Sequence, residues 1–280
     1  VSSATGDRHR RTSARLGLPG GNDRLFGAGL WTFVLLYVGL VLALLAADAT
    51  YTSPRAVLAA LGRPEIRDAF ELSFLSSTIT ALLSVLFAVP IGYLLSRRDF
   101  LGKSLVDSVL DIPILLPPMV IGLSLLILFQ TPLGRVVERV VPFTFEVPGV
   151  ILAQFCVACA FAVRTMRVTF DGIDPRREAV ALTLGCGRAR AFWWVVLPEA
   201  GRGVLAAGLL AWARALGEFG PVLVFAGATR GKTEVLPSTI FLELSIGDLQ
   251  AAVAVSLILV GAALGVLVLA RLFGPGRVVS

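Results

Sequence analysis

The sequence predicts an all-α membrane protein with six transmembrane helices. Three observations predict it. The 280 residues are 56% hydrophobic and only 16% charged, with a mean hydropathy of +0.84, where a soluble domain carries roughly a quarter charged residues. Six apolar stretches each approach the ~20 residues that a bilayer core of about 30 Å requires: 30–47, 72–95, 105–129, 147–163, 203–226 and 249–270. The basic residues between them alternate by side, as the positive-inside rule demands.

In chain order, residues 1–22 are rich in Arg, Ser, Thr and Gly without apolar periodicity. They are expected to form a disordered basic tail or to lie on anionic lipid. Residues 23–273 read as one helical membrane domain, with 274–280 a short C-terminal end. No long extension follows the last span, so no regulatory domain is expected in this chain. The first span has a basic region before it and Ala47-Asp48-Ala49 after it, which superficially fits a cleaved signal. Its apolar run exceeds the usual signal core of about 7–15 residues, and it is read as a retained helix.

The second span contains Pro90, the third Pro113 and the pair Pro117-Pro118, and the fifth Gly217, Gly220 and Pro221. Each removes a backbone donor or loosens the helix. Freed carbonyls at membrane depth are tolerated where protein or a watery cavity satisfies them, so the third and fifth spans are candidates to line a pathway; prolines that merely kink packed helices are the alternative. Charges inside spans are costly, and they concentrate here: Asp107 and Asp111 open the third span, and Arg214 and Glu218 sit in the fifth. The last two are four residues apart on one helix face and can pair. Such a pair either neutralises itself, or helps an anion pass or holds a gate.

Arg8, Arg10, Arg11, Arg15 and Arg24 precede the first span, and Arg97, Arg98 and Lys103 follow the second. Arg164, Arg167, Arg176, Arg177, Arg188, Arg190 and Arg202 follow the fourth, and Arg271 and Arg277 follow the sixth. These fall on one side, so both termini and the connection 164–202 are expected in the cytoplasm of a multi-pass inner-membrane protein. The net charge of +6 thus records topology and does not point to nucleic acid. Cys156 and Cys159 form one CxxC inside the fourth span, where small apolar packing is expected, and Cys186 lies on the cytoplasmic side. His9 is the only histidine. Neither a His-rich metal site nor a Ser-His-Asp triad is available, and no cofactor is expected in this chain.

The connection 164–202 is long and unusually aromatic. Asp174-Pro175 is a helix start with an Asp cap and Pro at the first position. Ala179, Leu182 and Thr183 then share a face, and Gly185-Cys186-Gly187 ends the helix with residues that permit a left-handed turn. A second short helix carries Phe192, Trp193, Trp194, Val195 and Val196 into Leu197-Pro198. A segment this short cannot bury those rings in a core of its own; it lies against its own bundle or presents a face to a partner.

Glu178-Ala179-Val180, then Gly185, then Leu197-Pro198 resembles the EAA loop of binding-protein-dependent ABC importer permeases. Val180 stands where the second alanine is usual, and Glu178 is one residue further from the glycine than in many members. The strings AVPIGYLLSRR, DIPILLPPMVIGLSLLILF, the Pro132-Leu133-Gly134 that follows and ARALGEFGPVLVFAG are similar to the molybdate and sulfate branch of that family. Leu216-Gly217-Glu218-Phe219-Gly220 with Thr233 and Leu236-Pro237 resembles molybdate permeases most, although Pro221 stands where many have alanine. The resemblance implies that Glu178, Ala179, Gly185, Phe192, Leu197 and Pro198 belong to a coupling surface for an ATP-binding subunit. It also implies that the chain pairs with a second permease copy and receives its cargo from an extracytoplasmic substrate-binding protein.

Pathway or gate residues are expected at Pro117, Pro118, Arg214, Glu218, Phe219 and Gly220. The implied cargo is an oxyanion, molybdate or tungstate, with sulfate or thiosulfate as the alternative. A secondary transporter or channel would need no docking segment and would show inverted repeats, and none is evident. A membrane-embedded enzyme would need a cluster of His, Cys or carboxylates that the spans do not contain. The stretch 227–233, GATRGKT, mimics a phosphate-binding loop. It has three residues between its glycines where four are needed, it follows a membrane helix where a strand is required, and it is expected outside the cell. ATP hydrolysis is therefore expected in a separate subunit.

Overall fold

A computed structural model describes residues 21–273; the readings of the basic tail and of the C-terminal end lie outside these, save that the first helix begins at Gly21. The described chain is all-helical and divides into two compact units between Thr50 and Tyr51. The first contains α1 (Gly21–Tyr51), an apolar helix without a charge between Arg24 and Asp48. The second contains everything that follows.

In the second unit, α2 (Pro54–Leu61) is a short amphipathic helix capped by the Ser53 hydroxyl, which accepts from Ala56 N–H at 3.2 Å. The long helices are α3 (Pro64–Arg97), α7 (Val147–Asp171), α11 (Gly201–Leu216) and α14 (Leu249–Phe273). Helix α3 buries a stripe of small residues, Ser73, Ser76, Ser77, Thr80, Ala81, Ser84, Ala88 and Gly92, against its neighbours. Lipid offers no hydrophobic drive for helix association, so close backbone approach through small side chains has to supply packing. A Cβ on Gly92 would stand 2.8 Å from Met166 Cβ, and one on Gly203 would stand 2.2 Å from the Thr169 side chain. Thr80 donates to Gln154 Oε1 at 3.2 Å inside this contact. Pairing Thr80 with Gln154 and Gly92 with Met166 makes α3 and α7 parallel, as one intervening crossing requires. Cys156 and Cys159 remain free thiols, half-buried against the two main apolar clusters.

Four helices are long and apolar enough to cross a membrane, and two bent pairs raise the number to six if each is one span. The predicted third span is such a pair. Helices α4 (Lys103–Leu115) and α5 (Pro118–Gln130) meet at 111°. The tandem proline explains the break: Leu116 and Pro117 both precede a proline, which expels them from the α region, and both are extended (ψ 142° and 131°). Pro90 and Pro113, in contrast, sit inside continuous helices. Around Pro90, Ala88 and Gly92 are clamped against α7, and the packing outweighs one lost backbone bond.

The predicted fifth span is likewise interrupted. Helix α11 ends at Leu216, residues 217–219 are non-helical, and α12 (Gly220–Phe225) resumes. Gly217 caps the end of α11, and Pro221 falls in the first turn of α12, where its missing N–H costs no intrahelical bond. The helix of the fourth span, α7, runs on to Asp171, eight residues past its expected end at 163, with Met166 and Phe170 fully buried along the extension and the Thr165 and Thr169 hydroxyls satisfied by carbonyls four residues earlier. Helices α6 (Pro132–Val140) and α13 (Leu236–Ser245) occupy connections in which the sequence predicted no helix. The first is strongly amphipathic and starts at the Thr131 hydroxyl, which accepts from Gly134 N–H.

Candidate functional site: two interrupted helices and a coupling segment

The two helix breaks meet. Gly122 of α5 lies so close to α12 that a Cβ would come within 2.8 Å of Pro221 Cα. A Cβ on Gly220 would approach the Met119 N at 3.1 Å and the Pro118 side chain at 3.2 Å. Glycine at these positions is therefore what lets the two broken segments touch backbone to backbone. Beside the contact lies a cavity of about 360 Å³ lined by Pro117, Pro118, Met119, Arg214, Gly217, Glu218, Phe219 and Gly220. All six residues expected in a pathway or gate thus line one space.

Within it Glu218 is 1% exposed, and its Oε2 sits 2.7 Å from Arg214 Nη1. No N–H of the guanidinium points squarely at that oxygen, which lacks a directed hydrogen bond. Arg214 is about a third exposed and its Cζ stands 5.8 Å from the Phe161 ring centroid. Glu218 thus pairs with one nitrogen of the cation and Phe161 lies within cation–π range of it, while Arg214 still borders the cavity. Asp107 and Asp111 do not join this site. They pair with Arg167 and Arg164 of α7, forming a two-rung ladder that attaches α4, a helix with no buried residue.

The second candidate region is the connection after α7. Its first helix, α8 (Pro175–Thr183), is capped as its sequence predicts: Asp174 Oδ1 accepts from Arg176 N–H at 2.9 Å. Gly185 takes the left-handed conformation at φ +84°, whereas Gly187 is extended at φ −68° because it precedes the next helix as its cap. There follow α9 (Arg188–Ala191), a π-helical turn over Phe192–Val196, and α10 (Leu197–Glu199). The chain then bends by 70° into α11.

The face shared by Ala179, Leu182 and Thr183 points outward, and α8 rests instead on Glu178 and Ala181. The carboxylate of Glu178 accepts from Tyr93 O–H at 2.6 Å and lies 3.6 Å from Arg97 Nε at the end of α3. Arg97 also donates to the Ile173 carbonyl at 2.8 Å. Phe192 turns inward against Tyr93 and Phe170, while Trp193 and Trp194 stand 62% and 81% exposed with Leu184. Leu197 is half-buried and Pro198 exposed. The aromatic cluster is thus divided: one ring anchors the segment, and two leave an apolar surface. Tyr93 and Arg97 are not among the predicted site residues; their place at the basic end of the second span was the only signal in the sequence.

The phosphate-loop mimic, residues 227–233, lies at the other end of the unit, where Lys232 pairs with Glu146 at the start of α7. Three of its successive N–H groups, from Lys232, Thr233 and Glu234, converge on the Thr229 carbonyl. They are spent internally and cannot cradle a phosphate.

Residues 88–278 match the family described as binding-protein-dependent transport system inner membrane component. The molybdate/tungstate transport system permease protein WtpB of Pyrococcus abyssi is 33% identical over 244 residues, 87% of this chain and 92% of that protein. The sulfate transport system permease protein CysT of Escherichia coli K12 is 32% identical over 256 residues, 90% of this chain and 91% of that protein. Among solved structures, a chain of a bacterial alginate ABC transporter in complex with an alginate pentasaccharide-bound periplasmic protein shares the fold. It superposes with a TM-score of 0.69 at 15% identity, over 91% of this chain and 93% of that one.

Proposed function

The chain belongs to the binding-protein-dependent transport system inner membrane components, a multi-pass ABC importer permease, and on that premise we propose that it carries an oxyanion through a pathway built on its two interrupted helices. The observation that carries this reading is the shared cavity: both breaks, the tandem proline and Arg214 border one space of about 360 Å³. An anion crossing lipid needs a cation or freed backbone groups at depth, and interrupted helices supply both. Two permease copies enclose the pathway. Each presents the outward face of α8 with Trp193 and Trp194 to an ATP-binding subunit, and the ends nearest residues 227–235 receive the substrate-binding protein. The permease itself contributes two states, open inward and open outward, which those partners bias.

Molybdate or tungstate is the proposed cargo, supported by the likeness to a molybdate/tungstate permease over 92% of its length. A sulfate permease matched over 91% of its length supports the second reading, sulfate. The complex reconstituted with its ATP-binding subunit and binding protein decides between them. ATP hydrolysis is expected to rise with molybdate or tungstate and not with sulfate. Stimulation by sulfate alone contradicts the proposed cargo.

A further inference from the structure

At the end of the unit away from the coupling segment, a cleft of about 240 Å³ opens between the start of α3 and the 227–235 loop. Its polar lining is Asp68, Glu71, Lys232 and Glu234, and its apolar lining includes Leu72 and Leu75. Glu234 is 2% exposed, and neither of its carboxylate oxygens has a hydrogen-bond partner. The Thr239 hydroxyl, placed to act on it, donates to the Val235 carbonyl at 3.2 Å. Burial pushes the Glu234 carboxyl above the ordinary carboxylate range, which Thr239 and Arg230 oppose and Glu243 and Glu65 reinforce.

The cations nearby are engaged: Lys232 with Glu146, Arg67 with Glu71 at 3.3 Å, and Arg230 with Glu243 at 2.8 Å. Asp68 and Glu234 therefore line the cleft without an ion pair of their own, Arg230, whose charge acts on Glu234, being bound to Glu243. An unpartnered buried carboxylate is costly, and a ligand that neutralises it recovers that cost. The ligand must be cationic. Among the described residues no group of three or more His, Cys, Asp or Glu is placed to hold a metal ion. The walls favour an organic cation: Leu72 and Leu75 match the methylene stem of a long basic side chain whose head reaches the acids.

We propose that this cleft receives an arginine or lysine side chain of the substrate-binding protein, Glu234 being the deep acceptor and Asp68 the outer one; this rests on the permease reading above. Charge complementarity at such a contact governs encounter rate and register, and truncating its buried acceptor raises the dissociation rate.

The test measures the affinity of the binding protein for the full transporter in lipid nanodiscs, over a range of salt. Glu234→Gln is expected to weaken binding about thirty-fold or more and to flatten the salt dependence, in line with buried interfacial charge pairs. Asp68→Asn, at the exposed rim and without a hydrogen bond or ion pair to lose, is expected to weaken it about three-fold with folding unchanged. Affinity and salt slope unchanged in both variants overturn the site. A change in permease oligomeric state instead, with binding-protein affinity intact, assigns the cleft to a second copy and overturns it as well. A wild-type transporter that its binding protein never stimulates contradicts the permease reading itself, whereas a stimulated wild type with unaffected variants contradicts this site alone.

Discussion

Arg214 and Glu218 are the residues at which stability and transport can be separated. Glu218 is fully buried and Arg214 is the cation beside it, so Arg214→Ala strands a buried charge. Breaking such a pair from one side costs about 3–5 kcal/mol, whereas removing both charges is often near neutral. Arg214→Ala is expected to lower the thermal unfolding temperature in detergent and to abolish uptake. The double variant Arg214→Ala/Glu218→Gln is expected to regain the unfolding temperature without regaining uptake. A normally inserted Arg214→Ala protein that transports like wild type removes Arg214 from the pathway. The pair was legible in the sequence because charge within an apolar run is conspicuous. Its surroundings were not: the closeness of Phe161 and of the Pro117-Pro118 break depends on how non-adjacent helices pack, which spacing along the chain does not encode. The isolation of Glu234 was equally hidden, since a single glutamate in a polar loop carries no pattern.

At the scale of elements, each helix break follows from local chemistry, yet not every proline makes one. Pro117-Pro118 breaks because two successive residues are forced out of the helical region; Pro90 does not, because α7 clamps its surroundings. Sequence supplies the propensity, and packing decides the outcome. The 174–199 connection shows the same division. Its cap at Asp174, its left-handed Gly185 and its two short helices could be read directly. That Phe192 anchors while Trp193 and Trp194 project could not, because three consecutive aromatics have no period from which to tell inside from outside. Replacing both tryptophans with serine is expected to leave membrane insertion and detergent unfolding unchanged, since neither ring is buried. The ATP-binding subunit is expected to fail to co-purify with that variant. Retention of the subunit at wild-type stoichiometry contradicts the assignment of this face to docking. Glu178, held by Tyr93 and Arg97, ties that surface to the end of α3.

Over the whole molecule, composition and charge asymmetry were enough to recognise a multi-pass helical protein, because the bilayer imposes both length and sidedness on any sequence. The number of crossings is less direct. Four helices qualify unaided, and the count reaches six only if each bent pair, 103–130 and 188–216, is one span; the first pair is the predicted third span, whereas the second starts ahead of the predicted fifth. Parallel packing of α3 and α7 fits a crossing between them, and the α4/α5 pair runs from Asp107, beside Arg167 near the end of α7, to Phe129, beside Phe143 just before its start. The 174–199 connection and the 227–235 loop consequently lie at opposite ends of the unit. The central claim is that this chain is the membrane pathway of an importer whose energy comes from elsewhere. Oxyanion uptake into proteoliposomes, measured with and without the ATP-binding subunit, tests it most directly. Uptake is expected only when that subunit, ATP and the binding protein are all present; uptake by the permease alone, running down its gradient at the same rate, would contradict that role.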